Sequence, residues 1–174
     1  KNALNNVNIQ INGGEIVALM GRNGAGKTTL LKCVVGQAPL IRGEVRVKKR
    51  DPKSFTDKEL IRFVGYIPQD AGDLLYGQSI KQECELADLD NGVEPGTTLA
   101  IYKELMKIPS LNSHPRDISE GQRLGLALSI ILSAQPALVI LDEPTRGLDY
   151  EAKKVLIKNL KEIASNLNRA VLIS

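Results

Sequence analysis

Tryptophan is absent from this chain of 174 residues, and aromatic residues are scarce, with two Phe and four Tyr. Proteins that bind single-stranded nucleic acid stack bases on aromatic side chains, so this scarcity argues against that function. The net charge does not favour nucleic-acid binding either, because 23 basic and 20 acidic residues leave a formal charge of only +3. We therefore expect no nucleic acid among the partners of the chain.

Cysteine and histidine are also scarce, and Cys33, Cys84 and His114 are the complete set. Three such residues, far apart in the sequence, cannot supply the spacing of a zinc site or the framework of a disulfide-rich domain. We predict that both thiols are small buried groups in a reducing compartment. His114 precedes Pro115, which indicates a turn at the surface.

Charged residues are missing between Leu124 and Leu141, a run long enough to suggest a membrane span. Pro136 interrupts this run, because proline lacks an amide hydrogen and disfavours helix at the residue before it. We therefore predict a buried helix that ends near Ala134 and a strand that starts near Ala137, with no transmembrane helix.

The rest of the composition is that of a globular domain, with 43% hydrophobic and 25% charged residues. The length suits one domain with a substantial core, and the composition excludes intrinsic disorder and low-complexity repeats. An initiator Met and a signal-peptide pattern are missing, and Ser174 follows directly after an apolar run. We expect the chain to be part of a longer polypeptide.

Apolar periodicity predicts alternating strands and helices in both end portions of the chain. The predicted strands cover 4–11, 15–20, 43–48, 63–67, 137–141 and 170–174, and the predicted helices cover 27–37, 57–62 and 150–166. Helical signals dominate over 69–134, which suggests a helical subdomain between two parts of one core, 1–68 and 135–174. This order predicts an α/β fold with a largely parallel sheet and a β-rich N-terminal part.

A glycine-rich loop lies between the strand over 15–20 and the helix that follows. It fits the pattern G-x-x-x-x-G-K-[ST] without a departure, in the order Gly21, Arg22, Asn23, Gly24, Ala25, Gly26, Lys27 and Thr28. In such a loop, backbone amides and the positive end of the helix dipole surround phosphate oxygens. Lys27 is suited to contact the β- and γ-phosphates, and the Thr28 hydroxyl to bind Mg²⁺. The alternative, a chance flexible loop, is disfavoured by the strand and helix on either side.

Two carboxylates, Asp142 and Glu143, follow the apolar strand over 137–141. Ligands of open parallel sheets bind at the carboxyl ends of the strands. Asp142 is suited to hold a metal ion through water, and Glu143 to orient or deprotonate an attacking water. A pair of helix-capping acids is the alternative interpretation.

A third motif, Ile118 to Gln122, lies at the predicted start of the apolar helix. Ser119 is a candidate N-cap with Gln122 in the capping-box position, so a plain helix cap is one interpretation. The other is a second anion site at a helix N-terminus. Two phosphate sites in one domain suggest a site that is shared between two molecules.

Together these motifs resemble the nucleotide-binding domain of ATP-binding-cassette (ABC) proteins, which have a P-loop NTPase core, over nearly the whole chain. The similar segments are Gly21 to Thr29 (Walker A), Gln69 (Q-loop), Ser119, Glu120, Gly121 and Gln122 (signature), Leu138 to Glu143 (Walker B) and Asp149 (D-loop). The resemblance implies binding of ATP by Gly21 to Thr29, and of Mg²⁺ by Thr28, Gln69 and Asp142. It implies hydrolysis through Lys27, Gln69 and Glu143.

The same resemblance implies a head-to-tail dimer with a second ABC ATPase domain, whose ATP lies between Walker A of one domain and the signature of the other. The family's signature is usually Leu-Ser-Gly-Gly-Gln, whereas Glu120 here replaces the first glycine. This departure puts a carboxylate near the expected position of the opposing nucleotide.

Three segments, Ala18 to Thr29, Pro68-Gln69-Asp70 and Asp142 to Asp149, are similar to the ATPases of energy-coupling-factor importers for cobalt and vitamins. In some bacteria, two such cassettes are fused in one polypeptide. This narrower resemblance implies an integral membrane transport subunit as partner and a position at the cytoplasmic face of the cell membrane. A soluble ABC ATPase that acts on ribosomes or DNA is the alternative. A P-loop GTPase or small-molecule kinase is disfavoured, because the sequence has neither an Asn-Lys-x-Asp motif nor an arginine-rich lid.

Charge is polarised along the chain. Seven acids and one base occupy 70–94, whereas 42–62 contains eight bases and four acids. The acidic segment follows Gln69, where the resemblance implies docking of arginine-bearing helices of a membrane subunit. We expect Asp70, Asp73 and Glu83 to face such a partner, and a plain solvated face is the alternative.

Overall fold

A four-stranded parallel sheet forms the centre of the computed structural model, which describes residues 4–174. In chain order, the strands are Ile16–Ala18 (β1), Val64–Ile67 (β2), Leu138–Leu141 (β3) and Ala170–Ile173 (β4). Their order in the sheet is β1-β4-β3-β2, and all three pairings are parallel. The predicted α/β class with a parallel sheet is confirmed, and all four strands end at the same edge.

Helices connect the strands. The α-helices are Lys27–Val34 (α1), Asp57–Leu60 (α2), Ile80–Asn91 (α3), Thr97–Leu105 (α4), Glu120–Ser133 (α5) and Tyr150–Leu167 (α6), with short 3₁₀ helices at Pro52–Ser54 and Ala71–Leu74. Several begin where the sequence supplies a side-chain oxygen to cap the first turn, including Thr56, Ser79, Ser119 and Asp149. Within the described residues, everything between β2 and β3 is helix or loop.

Both faces of the sheet are buried, as parallel strands require. On one face, Val139 and Leu141 of β3 pack in a cluster with Leu128 of α5 and Leu160 of α6. On the other face, Ile140 packs in a cluster that includes Leu31 of α1. All four residues of β3 are buried, which explains its uninterrupted apolar sequence.

Helix α5 lies directly on β2 and also packs in the helical unit formed with α3 and α4. Gly65 of β2 leaves no space for a Cβ beside Ile131, so the helix and the strand are in close contact. In the middle of α5, Leu126 belongs to a separate cluster with Ile80 and Tyr102. One helix therefore belongs to both the core and the helical unit.

The apolar run over 124–141 divides as predicted. Helix α5 ends at Ser133, Gln135 has a positive φ of 56°, and β3 begins at Leu138. Among residues 4–174, none of the helices combines the length and apolar character that a bilayer-spanning helix needs.

Cys33 and Cys84 are buried free thiols, as predicted, and burial raises the pKa of Cys84 to about 12.

Two predicted strands are wrong. Residues 4–11 contain no strand, and over 43–48 the only β-pairing is an isolated bridge between Val47 and Arg50. Both segments line a cavity of about 700 Å³ beside α1 and the sheet, and Val7 and Ile9 remain 45% and 48% exposed. Apolar alternation creates an amphipathic face, but a strand also needs a paired neighbour. Within the described residues, the β-rich N-terminal part is thus reduced to β1.

Candidate functional site

The glycine-rich loop connects β1 to α1 at the carboxyl edge of the sheet. Gly24 and Gly26 adopt φ angles of +81° and +94°, a region that side-chain-bearing residues rarely occupy. Gly26 is the N-cap of α1 and provides no side-chain acceptor for the first-turn amides. These amides are therefore available to an anion, with the helix dipole in their favour.

Lys27 extends across this loop. Its Nζ donates hydrogen bonds to the carbonyl oxygens of Gly21, at 3.0 Å, and Arg22, at 3.4 Å. Of the ion pairs found within residues 4–174, none includes Lys27. The loop thus holds an ammonium group without a carboxylate partner, which is the electrostatic requirement for binding a phosphate.

Asp142 and Glu143 follow β3 and are held by the ends of the neighbouring strands. Asp142 is buried, and its two carboxylate oxygens accept hydrogen bonds from Ser174 Oγ and, at 3.5 Å, from Tyr66 OH. Burial, together with the charge of Asp142, raises the pKa of Tyr66 to about 12, because a phenolate would be desolvated and would lie beside a carboxylate. Both contacts fix the direction of the Asp142 carboxylate.

Glu143 adopts a left-handed backbone conformation with φ of 47°. Its amide donates to Ser174, to the carbonyl oxygen at 3.2 Å and to Oγ at 3.1 Å. Its side chain accepts a hydrogen bond of 3.0 Å from Gln69 Nε2, and Gln69 follows β2. The structure therefore brings Gln69 and Glu143 into direct contact.

The predicted metal ligands are all hard oxygen donors: a hydroxyl of Thr28, an amide oxygen of Gln69 and a carboxylate of Asp142. Among residues 4–174, no group of three or more His, Cys, Asp or Glu side chains forms a separate metal cage. Mg²⁺ typically keeps several waters and takes few protein ligands in addition to substrate phosphates. The donor set at this edge fits that pattern.

The motif at 118–122 forms the start of α5. Ser119 and Gln122 make the predicted capping box, with Ser119 Oγ accepting from the Gln122 amide at 3.3 Å and Gln122 Oε1 accepting from the Ser119 amide at 3.1 Å. Ser119 and Glu120 are exposed, and Gly121 is buried. Within the described chain, no hydrogen bond or ion pair joins this motif to the glycine-rich loop at 21–29.

Asp149 caps the following helix, because its side chain accepts a hydrogen bond of 2.7 Å from the Ala152 amide. Two residues earlier, Gly147 has a φ of 73° and lies against the side chain of Glu120, whose Cγ is 3.3 Å from an ideal Cβ position. The segment at 147–149 therefore contacts the start of α5.

The acidic segment differs from expectation at Glu83. This residue is only 4% exposed, and it accepts a hydrogen bond from the Gly77 amide. Burial raises the pKa of Glu83, while hydrogen bonds from the amides of Gly77 and Tyr76 oppose that shift. The prediction that Glu83 faces a partner is wrong, because its carboxylate holds the loop before α3.

Sequence reasoning missed three polar residues of this region: Tyr66, Arg123 and Ser174. Tyr66 lies within the predicted apolar strand over 63–67, and Ser174 was noted only as the end of an apolar run. Tyr66 and Ser174 are 76 and 32 residues away from Asp142 in the sequence, so local residue spacing could not predict these hydrogen bonds. Arg123 was recognised as the residue directly after the motif at 118–122, but no role was assigned to it.

Comparison with known proteins decides the family. Residues 4–146 match the family model described as ABC transporter. The chain belongs to the ABC transporter family. The resemblance stated from the motifs is thus confirmed at the family level, and this is an ABC-type ATPase domain.

Two curated relatives come from Streptomyces. One, from Streptomyces avermitilis, is named "Putative ABC transporter ATP-binding protein" and is 49% identical over 170 residues, which cover 98% of this chain. A protein of the same printed name, SCO2324, from Streptomyces coelicolor is 48% identical over the same share of the chain. In both cases this ABC domain spans only 30% of the relative's length.

Solved structures confirm the P-loop ABC fold. The ATP-binding cassette MJ0796, determined as a dimer bound to ADP and Pi, superposes with a TM-score of 0.83 at 25% identity, over 98% of this chain and 78% of that one. The protein cbiO1 from Clostridium perfringens gives a TM-score of 0.81 at 26% identity, over 98% and 70%. That protein is part of the ABC transporter complex cbiONQ.

Proposed function

We propose that this chain binds and hydrolyses ATP to energise transmembrane import of a micronutrient of the cobalt or vitamin type, as in energy-coupling-factor systems. One observation supports the ATPase activity. The loop that contains Lys27 and the hydrogen-bonded pair Gln69 and Glu143 lie at the same edge of the sheet. The similarity to cbiO1 supports the narrower assignment.

In the proposed reaction, the amides of Gly21 to Thr29 bind the phosphates of ATP, and Lys27 exchanges its loop carbonyls for phosphate oxygens. Mg²⁺, held by Thr28, Gln69 and Asp142, would neutralise charge on the phosphate oxygens. Water attacks the γ-phosphorus while Glu143 accepts its proton, and the bond to the β-phosphate oxygen breaks to leave ADP. The Gln69 amide orients the Glu143 carboxylate for this role.

A second ABC domain is the proposed partner of the α5 start, in a head-to-tail dimer. Ser119 and Glu120 are exposed, and the motif makes no polar contact with the chain's own glycine-rich loop within the described residues. The related cassette MJ0796 is dimeric. Because this domain spans 30% of its Streptomyces relatives, a second cassette fused in the same polypeptide is compatible with their length.

A membrane transport subunit is the other proposed partner, which would place the protein at the cytoplasmic face of the cell membrane. The test uses the complete polypeptide purified with its membrane subunit and reconstituted in lipid vesicles. We expect Mg-ATP hydrolysis and ATP-dependent uptake of a cobalt-type or vitamin-type solute. If hydrolysis is instead stimulated by ribosomes or DNA and not by the membrane subunit, the alternative of a soluble ABC ATPase is correct.

The exposed acids after Gln69 are the proposed contact for that membrane subunit. Asp73 and Glu85 are exposed, and exposed apolar side chains of Tyr76 and Leu89 lie in the same segment. Such a surface suits a helix that carries both arginine and apolar residues. Asp70 is unsuitable for mutation, because its side chain caps the Gly72 amide.

We expect the double variant D73K/E85K to weaken assembly with the membrane subunit while basal ATP hydrolysis stays within a few-fold of the parent. Co-purification from detergent at matched salt measures the assembly. The control E104K/E162K changes the net charge equally at exposed acids elsewhere, on α4 and α6. Full assembly of D73K/E85K would mean that the acids form only a solvated face.

A further inference from the structure

Arg123 lies one residue beyond the signature motif, and its guanidinium donates four hydrogen bonds to the residues around it. Its guanidinium donates to the carbonyl oxygens of Pro115 at 3.1 Å, Arg116 at 3.1 Å and Ile118 at 3.4 Å. Its Nη1 also donates to Glu120 Oε1 at 2.7 Å. Only 17% of the side chain is exposed, so the planar group is held in one orientation.

Glu120 is the residue that departs from the family's usual glycine, and the structure shows where its charge lies. The carboxylate is paired with Arg123, and the stem of the side chain packs against Gly147. Half of the Glu120 side chain, 49%, is exposed at the first turn of α5. A phosphate approaching this turn from another molecule would meet this carboxylate together with its arginine.

Arg123 also contacts the segment that follows Gln69. Its Cδ lies 3.4 Å from an ideal Cβ position at Gly72, whose amide donates to Asp70 at 2.8 Å. The arginine is therefore fixed by the loop before α5, by Glu120 and by the 3₁₀ helix after Gln69. A side chain held from three directions cannot move away from Glu120 without disturbing all of these contacts.

We propose that Arg123 is a positioning residue that cancels the charge of Glu120, so that the start of α5 can accept the phosphates of a nucleotide bound to the second cassette. The inference rests on the proposed head-to-tail dimer. An unpaired carboxylate at this turn would repel the nucleotide phosphates, and it would lose water as the dimer closed. The pair with Arg123 removes that repulsion and leaves the Glu120 and Gly121 amides, which the capping box does not use, to act on the phosphate.

The experiment uses the complete polypeptide carrying Glu143→Gln, which slows turnover and lets occluded ATP accumulate. We compare R123Q, E120Q and E120Q/R123Q, because glutamine at 123 retains an amide donor for the loop carbonyls. Occlusion of labelled ATP is expected to fall about tenfold or more in R123Q, since like charges meeting at an interface are strongly unfavourable. It should be at least as high as the parent in E120Q, which loses the carboxylate and keeps the cation, and it should recover in E120Q/R123Q to within about threefold of the parent.

The recovery is the decisive result, because a merely structural role of Arg123 predicts that the double variant is as defective as R123Q. Normal occlusion in R123Q would also overturn the proposal. Thermal unfolding and the affinity of the chain's own loop for a fluorescent ATP analogue serve as controls. R123Q and E120Q/R123Q should lose similar thermal stability, because both lack the guanidinium that bonds the loop carbonyls, and the affinity should not change in any variant. If the Glu143→Gln parent itself occludes no ATP, the proposed dimer fails, which is distinguishable from failure of the charge pairing alone.

Discussion

The variant Lys27→Ala is expected to lose most nucleotide binding and, with it, most ATP hydrolysis. Lys27 Nζ donates hydrogen bonds to carbonyl oxygens of its own loop, and within residues 4–174 it forms no ion pair with a carboxylate that a phosphate would have to displace. A hydrogen bond to a charged group contributes about 1.5–3 kcal/mol, and each 1.4 kcal/mol changes affinity tenfold. We therefore expect the affinity for Mg-ATP to fall by roughly ten- to a hundredfold.

Isothermal calorimetry on the complete polypeptide measures this loss. The matched control is Lys32→Ala, which removes a positive charge from an exposed position near the other end of α1. Its affinity should equal that of the parent, because Lys32 lies more than a turn away from the loop. Equal affinity of Lys27→Ala and the parent would contradict the assigned role of the loop.

The variant Glu143→Gln is expected to bind ATP normally and to hydrolyse it about 10² to 10⁴ times more slowly, which is the usual cost of losing a general base. Glutamine keeps an oxygen that can accept the hydrogen bond from Gln69 Nε2, and it has nearly the same shape. The change therefore removes the proton acceptor while the site around it is preserved. Slow turnover should also let a dimer with two bound ATP molecules accumulate.

Phosphate release and calorimetry, measured on the same preparation, separate the two effects. Glu151→Gln is the control, because Glu151 is an exposed acid in the first turn of α6 whose ion-pair partner among residues 4–174 is Lys154. It should hydrolyse ATP at the parental rate. A parental rate in Glu143→Gln would require a different proton acceptor.

Sequence motifs predicted the parts of this molecule that depend on local chemistry. The glycine-rich loop, the buried strand before Asp142 and the capping box of Ser119 and Gln122 each need only a few neighbouring residues to form. The positions of α5 and β3 could also be predicted, because Pro136 forces the helix to end. These features also carry most of the family resemblance.

Features that depend on distant parts of the chain could not be predicted in the same way. The alternation over 4–11 is real, but whether it becomes a strand depends on a neighbour with which to pair. Glu83 looks like any other acid of its segment until the fold encloses it beside Gly77. The hydrogen bonds from Tyr66 and Ser174 to Asp142 exist only because β2, β3 and β4 are adjacent in the sheet.

The close contact between Gly65 and Ile131 limits how the domain can deform. Because the Cγ2 methyl of Ile131 fills the space that a side chain at Gly65 would need, that half of α5 packs on β2 as a rigid extension of the sheet. Gln69 follows β2 two residues after its end, so it is anchored to the same rigid body. Any movement of α3 and α4 relative to the sheet would then have to be taken up by the segments at 68–79, which include the short 3₁₀ helix Ala71–Leu74, and at 106–119. Because the signature forms the first turn of the same continuous helix, it would keep its position relative to the sheet.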